Sequence, residues 1–398
     1  MHVEDPVALR ELCRRLADSD RIAFDTEYIW ERSYVPHLGL LQVATERVCA
    51  VVDPLAVKDL DPLVDILLDH RRLKVLHAAR GDLEVTYWLS GDVPHPIFDT
   101  QIAAAMVGYG DQQSLARLLD RVLGVKLEKK ETFTDWLRRP LTRGQVRYGL
   151  DDVRYLLPMH DRLVEELRET GRVEWVQEEF DWLSDPHRYE PHAPEEAFRK
   201  VRGRNVLDRR GLAVLRELAG WREQEARDRD WHRGMIVRDE VLVELARALP
   251  RTGEDLRNTR GLHPREGARA AQALLGCIQR GLAIPDRDLP RFTEAKRGDG
   301  RTPMIADLVM TYLKIRAADL KLAPGFLASR ADIEALLEEG PTSPQPDHPL
   351  LQGWRKTLVG EGLLALLDGR AFLGIDPETG RVKLYRIRKW RPPKPRPR

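Results

Sequence analysis

Apolar positions in the first 180 residues follow two rhythms. Short runs such as IAFDTEY (22–28), LGLLQVAT, VCAVVD and LKVLHAA have the length and bounding turns of strands. In the first of them, period-two alternation sets Ile22, Phe24, Thr26 and Tyr28 on one face and Ala23, Asp25 and Glu27 on the other. The first face is expected to pack and the second to look into a cleft. Helical spacing takes over after LKVLHAA, where Leu83, Val85, Tyr87 and Trp88 supply an apolar stripe and Asp82 falls in the first turn. TRGQVRYGLDDVRYLLPMHDRLVEEL (142–167) reads as one long helix, on which Tyr148 and Asp152 share a face and Asp151 points elsewhere.

Beyond residue 205 the helical rhythm continues without a strand-like run until RAFLGID and VKLYRI near the end. Two interruptions rich in proline and charge, around SDPHRYEPHAPEEAFRK and IPDRDLPRFTEAKRGDGRTP, read as linkers crossing a surface. The expected partition is an α/β domain over 1–180, a linker over 181–204, helical domains over 205–283 and 303–378 separated by a linker over 284–302, and a tail over 379–398. The two helical segments are weak copies. At an offset of 91 residues Trp221 aligns with Tyr312, Ala226 with Ala317, Leu242 with Ile333 and Leu245 with Leu336. A period that long fits duplicated small domains and not a solenoid.

Composition sharpens this picture at one end. The formal net charge of +1 conceals nine Lys or Arg and no acid in the last 18 residues, so the rest of the chain carries −8. That tail, with Tyr385 and Trp390, suits a phosphate backbone and base stacking, or else a solvated end that aids solubility. Cys13, Cys49 and Cys277 are too far apart for a disulfide framework or a zinc site. With no apolar leader and no run of about 18 apolar residues, a cytoplasmic protein without a membrane span is expected.

The acids on the IAFDTEY strand raise a chemical question, because carboxylates about 5 Å apart repel by roughly 3 kcal/mol at an effective dielectric of 20. Singly, Asp82 at a helix start and the Tyr148/Asp152 pair are ordinary. Together, Asp25-x-Glu27, Asp82 within HAARGDLE and Tyr148-x-x-x-Asp152 resemble the three Exo motifs of the DEDD exonucleases. Arg147 stands where the sister subclass has histidine, which places the set in the tyrosine subclass. DTEYIWERSYVPHLGLLQVA and FDTQIAAAMVGYG are similar to ribonuclease D family sequences. LAGWREQEARDRDWHRGMIVRDEVLVELA, and less closely its copy, resembles an HRDC domain. The resemblance spans 1 to about 375.

It implies an α/β ribonuclease H-like 3′-5′ exonuclease domain, a mixed sheet flanked by helices, followed by two small all-α HRDC domains. It further implies two divalent cations, Mg²⁺ or Mn²⁺, on the hard oxygen donors of Asp25, Glu27, Asp82 and Asp152. Asp25 would bridge them, Glu27 and Asp152 would complete the ion nearest the attacking water, Asp82 would support the other, and Tyr148 would orient the water. The implied reaction releases nucleoside 5′-monophosphates from RNA with an accessible 3′ end, precursor tRNA and other small structured RNAs among them, by a chain acting as a monomer. A 3′-5′ DNA exonuclease uses the same site. A non-catalytic RNA-binding or helicase-partner module would show a lost ligand, whereas all five residues are present. Outside the motifs, His77 reads as a satisfied core histidine and Asp99 as the N-cap of the next helix. Arg32, Tyr34 and Gln42 are candidates for substrate contact.

Overall fold

The computed structural model describes residues 1–127, 134–191, 193–290, 301–339 and 348–387. Its N-terminal part is built from β1 (His2–Val3), α1 (Pro6–Ala17), β2 (Arg21–Ile29), β3 (His37–Ala44), β4 (Cys49–Val52), α2 (Asp61–Leu68), β5 (Leu73–Leu76), α3 (Arg80–Ser90), β6 (Ile97–Asp99) and α4 (Thr100–Met106). The six strands form one mixed sheet in the order β1-β4-β3-β2-β5-β6. β2 runs antiparallel to β3 and parallel to β5, which is parallel to β6. The two longest strands, β3 and β2, lie in the middle of the sheet and the short ones at its flanks. The parallel neighbour of β2 stops at Leu76 while β2 continues to Ile29. That overhang is where the site lies.

Helices α5 (Leu115–Leu118), α6 (Arg143–Arg154), α7 (Leu156–Glu169) and α8 (Val173–Leu183) complete this part. The stretch expected as one long helix is two, α6 and α7, broken at Tyr155. Pro158 supplies the reason: it has no N–H for the Arg154 carbonyl and its ring crowds that carbonyl, so the α6 hydrogen-bond ladder cannot run through. α6 starts on a reciprocal Thr142/Gln145 cap, with Gln145 N donating to Thr142 Oγ1 at 3.1 Å and Thr142 N to Gln145 Oε1 at 2.8 Å.

The stretch read as a surface linker after α8 holds apolar anchors among its prolines and charges. Tyr189 joins the core of the N-terminal part, and Phe198 and Val201 join the core of the helices that follow. Those helices are α9 (Arg209–Arg229), α10 (Arg233–Ile236), α11 (Asp239–Ala248), α12 (Gly253–Arg257) and α13 (Pro264–Ala283). α14 (Arg301–Leu320), α15 (Pro324–Leu327) and α16 (Arg330–Glu339) repeat the opening of that series, with lengths of 20, 4 and 10 residues against 21, 4 and 10 for α9 to α11. Tyr312, aligned with Trp221 in sequence, is buried and donates to the Val359 carbonyl at 3.0 Å. After α17 (Gly353–Arg355) and α18 (Glu361–Leu367) the chain forms a hairpin of β7 (Ala371–Ile375) and β8 (Val382–Arg386). β8 therefore lies inside the stretch read as a tail, because Leu384 and Tyr385 find partners in Leu373 and Phe372. Residues 388–398, and 291–300 of the second linker, lie outside the described residues.

Both helical units seat on the sheet domain. Tyr34 and Trp88 enter the core of the first, and Trp354 of the second stacks on Trp175 at 5.5 Å while its Nε1 donates to Glu179 at 3.0 Å. Among the described residues no helix is long and apolar enough to cross a membrane.

Candidate active site

Four local decisions build the site. The first is β2 itself, whose pleat buries Phe24 and Thr26 and leaves Asp25 and Glu27 partly open on the other side, as the alternation predicts. A second follows from the early end of β5. Beyond the Ala23–Val75 pair there is no strand on the β5 side of β2, and the Thr26 N–H is taken by Asp82 Oδ1 at 2.9 Å. The Thr26 hydroxyl donates to the same oxygen at 2.5 Å. Asp82 thus occupies the place of a sheet partner, and Thr26 fixes which way its carboxylate faces.

Asp99 makes the third decision. As expected it caps α4, accepting from Gln101 N at 2.7 Å and Ile102 N at 3.3 Å. It also accepts from Ala78 N at 3.2 Å and Ala79 N at 2.8 Å, holding the turn that launches α3 and hence Asp82. Ala78 sits there at φ 58°, a left-handed conformation that a non-glycine residue adopts only when held. His77, beside it, has Nδ1 2.9 Å from Thr100 Oγ1 and Nε2 3.1 Å from the Gln113 carbonyl, a satisfied histidine whose pKa burial lowers.

The fourth is the seating of α6. Gly149 lies directly against the sheet: a Cβ there would stand 2.9 Å from Leu40 Cδ2 and 3.1 Å from both Gln42 Cγ and Val51 Cγ1. Close approach at Gly149 brings Tyr148 and Asp152 over β2. A bidentate Arg139–Asp53 pair, with contacts at 2.6 and 2.7 Å, ties down the segment before α6. That segment lays Trp136 against Tyr148 at a ring separation of 5.8 Å. Asp151, one position before Asp152, turns away to Arg154 at 3.1 Å.

The result is that Asp25, Glu27 and Asp152 each offer a carboxylate oxygen within 4.8 Å of the others. Asp82 adjoins them through Thr26. Burial, then repulsion from Asp82, Asp152 and Glu27, holds the Asp25 pKa well above the usual carboxylate range. Burial, then Asp152 and Asp82, pushes Glu27 up to about 8. Asp82 rises to about 7, chiefly by burial, against the pull of its Thr26 hydrogen bonds. Tyr148 donates to Asp152, and burial and the nearby acids raise its pKa, so it stays protonated. The charged neighbours acting on Glu27 are themselves acids. Hard oxygen donors sharing one small space, with their charges opposed, fit a divalent cation.

One of the sequence candidates for substrate contact is elsewhere: Gln42 is fully buried beneath α6. Arg32 and Tyr34 both line the cleft at the site, Tyr34 from a mostly buried position with its hydroxyl donating to Glu223 at 2.8 Å. Thr26 and Gly149 are the positioning residues that pattern reading passed over, the signal for the second being a glycine inside a helix, whereas Asp99 was read as a cap and only its hold on the turn before α3 was missed. Thr26→Val keeps the backbone bond to Asp82 and removes the hydroxyl. We expect it to raise the Mg²⁺ concentration needed for half-maximal activity ten- to a hundredfold, as for other residues that orient ligands, read by titrating activity with Mg²⁺. An unchanged titration would show that the backbone bond alone orients Asp82.

Residues 1–168 match the family model described as a 3′-5′ exonuclease, and 211–278 match the HRDC domain model. A curated ribonuclease D of Sphingobium indicum is 40% identical over 390 residues, covering 96% of this chain and 98% of its own length. The chain belongs to the ribonuclease D family. Ribonuclease D of Zymomonas mobilis is 38% identical, with 97% and 98% covered. The crystal structure of Escherichia coli RNase D, an exoribonuclease involved in structured RNA processing, superposes with a TM-score of 0.84 at 34% identity, covering 92% of this chain and 98% of that one. As a ribonuclease D this is a 3′-5′ exoribonuclease, of a superfamily that uses divalent metal ions, with an exonuclease domain of mixed sheet and helices followed by an HRDC domain.

Proposed function

We propose that Asp25, Glu27, Asp82 and Asp152 hold two divalent cations, Mg²⁺ or Mn²⁺, and that with Tyr148 they hydrolyse the 3′-terminal phosphodiester of RNA to release nucleoside 5′-monophosphates. The observation that carries the reading is the convergence of Asp25, Glu27 and Asp152 oxygens within 4.8 Å. When bound, such ions make a coordinated water more acidic and offset charge on the phosphate. The chain's own contribution is to hold four carboxyl groups where burial and mutual repulsion disfavour their ionisation until a cation shares their charge, and to place one phenol among them. Tyr148, protonated across the neutral range, is no general base. It donates to Asp152 and orients the attacking water.

Small structured RNAs are the proposed substrates, supported by the description of the matched Escherichia coli enzyme as acting in structured RNA processing, with precursor tRNA among them as the family resemblance implies. The stretch 303–378 is proposed as a second HRDC-like domain. Its support is the repeated pattern of helix lengths and the buried Tyr312 in the position of Trp221. Both helical units seat on the nuclease of their own chain, which favours a monomer, and three free cysteines fit a reducing cytoplasm. The test is digestion of matched RNA and DNA strands with single-stranded 3′ ends in Mg²⁺ and in Mn²⁺, products identified by mass. Nucleoside 5′-monophosphates released faster from RNA are expected. Faster removal of DNA would overturn the substrate, and an inert protein would overturn the reaction.

A further inference from the structure

A cleft of about 1400 Å³ opens from Glu27. One wall is the loop that follows β2, with Trp30 and Arg32, and the other is the turn between α9 and α10 together with α10 itself, with Trp231, Arg233 and Met235. The two walls are pinned together on either side of Trp231. Asp230 accepts from Tyr34 N at 2.9 Å and Val35 N at 3.1 Å and meets His37 Nε2 at 2.5 Å. His232 N donates to the Arg32 carbonyl at 3.0 Å. Asp230 does this from a left-handed conformation, φ 47°, where glycine would be the usual end of a helix.

Between those two clamps stands an indole that the clamps do not use. Trp231 remains 39% exposed, in a position where burial would ordinarily be favoured, and Met235 beside it is 49% exposed. The Arg229 guanidinium lies 3.8 Å from the Trp231 ring centre and steadies it. A rigidly mounted, half-open indole in a wet cleft is what a stacking platform needs, since every base presents a π-face to it. Cations complete the match. Arg32 is exposed on the nuclease wall, and the Arg233 side chain, though paired with Glu223 at 2.8 Å, is 47% exposed on the other. The floor of the cleft is acidic at Glu27, and Arg32 and Arg233 stand on its two walls among the acids Glu31 and Asp230, which suits a strand whose end goes to the floor and whose preceding phosphates meet those two cations.

We propose that Trp231 is a base-stacking subsite for the single-stranded 3′ segment of RNA upstream of the scissile phosphodiester, with Arg32 and Arg233 as its phosphate contacts. The first helical unit then supplies part of the substrate site. This rests on the exonuclease reading above and names the path of its substrate.

The experiment measures KM and kcat of the full chain on a single-stranded octaribonucleotide and on a diribonucleotide, for wild type, Trp231→Ala and Trp231→Phe. Loss of one base–aromatic stack corresponds to about tenfold in binding. The ratio of octamer KM to dimer KM is therefore expected to rise about tenfold in Trp231→Ala and to recover most of the way in Trp231→Phe. Wild-type activity with an unmoved ratio in Trp231→Ala, or an equal loss on both substrates, would overturn this inference alone, the second outcome pointing to a role in the clamp. A wild-type protein that degrades neither substrate would overturn the exonuclease reading and this inference with it.

Discussion

Replacing Asp25 by asparagine is expected to lower mononucleotide release about a thousandfold while making the metal-free protein more stable at pH 8. The first effect follows from its place in the cluster: one carboxylate of the shared site is lost, and several kcal/mol of stabilisation by bound metal corresponds to about three decades in rate. The second follows from the direction of the pKa shifts. In the folded chain Glu27 is pushed up to about 8 and Asp82 to about 7, and Asp25 is held well above the usual carboxylate range by burial and then by its acidic neighbours. Unfolded, such groups ionise near pH 4. Carboxyl groups raised in this way contribute stability that is fully present below about pH 4 and is lost as pH climbs through 7 and 8. The wild-type melting temperature in EDTA should accordingly fall across that window. The amide of the Asp25→Asn variant carries no charge, so its fall should be shallower, and saturating Mg²⁺ should rescue the wild type at pH 8 much more than the variant. Thermal melts in EDTA and in Mg²⁺ at several pH values, beside a digestion assay, check both halves. An Asp25→Asn protein that stays active, or that is the less stable of the two at pH 8 without metal, would remove Asp25 from the proposed metal site.

Gly149→Val is expected to cut activity about a hundredfold although residue 149 touches neither metal nor substrate. Its backbone already rests on Leu40, Gln42 and Val51, all of which are fully buried and have nowhere to retreat. A branched side chain there must lift α6 from the sheet. Tyr148 and Asp152 ride on the same helix, and a displacement of about 1 Å at reacting groups costs on the order of a hundredfold. Overpacking a sealed interface costs roughly 1 to 3 kcal/mol of stability. The informative comparison is of kcat and melting temperature at a temperature where the variant is fully folded. A folded variant with native kcat would mean that α6 can shift without moving its two site residues, and that Gly149 serves packing alone.

These two residues mark opposite ends of what could be read from the chain. Asp25 and Glu27 were legible because a strand's period of two is a local rule, and Tyr148 with Asp152 because i and i+4 share a helix face. The caps at Thr142 and Asp99 were equally local in kind. Gly149 was visible only as a weak helix former, since the side chains it meets lie on strands about a hundred residues earlier. Pro158 carried a local signal, outweighed by the amphipathic pattern that runs across it, and the break at Tyr155 is what its missing N–H imposes.

The element types of the N-terminal part, the faces of the acid-bearing strand and helix, the duplicated helical pattern and the chemistry of a hard-ligand site were all present in the order of residues. They follow from spacing along a single element or from the nature of the side chains. Long-range packing was needed to close Asp82 on Thr26, 56 residues away, in place of a strand partner. Packing likewise tied the Tyr34 hydroxyl to Glu223, 189 residues on, and buried Gln42 under α6. It also turned the supposed surface linker into a packed segment and put Trp231 and Glu27 in the lining of one cleft. Each of these depends on which distant surfaces meet, and a one-dimensional pattern specifies that a side must be buried without specifying against what.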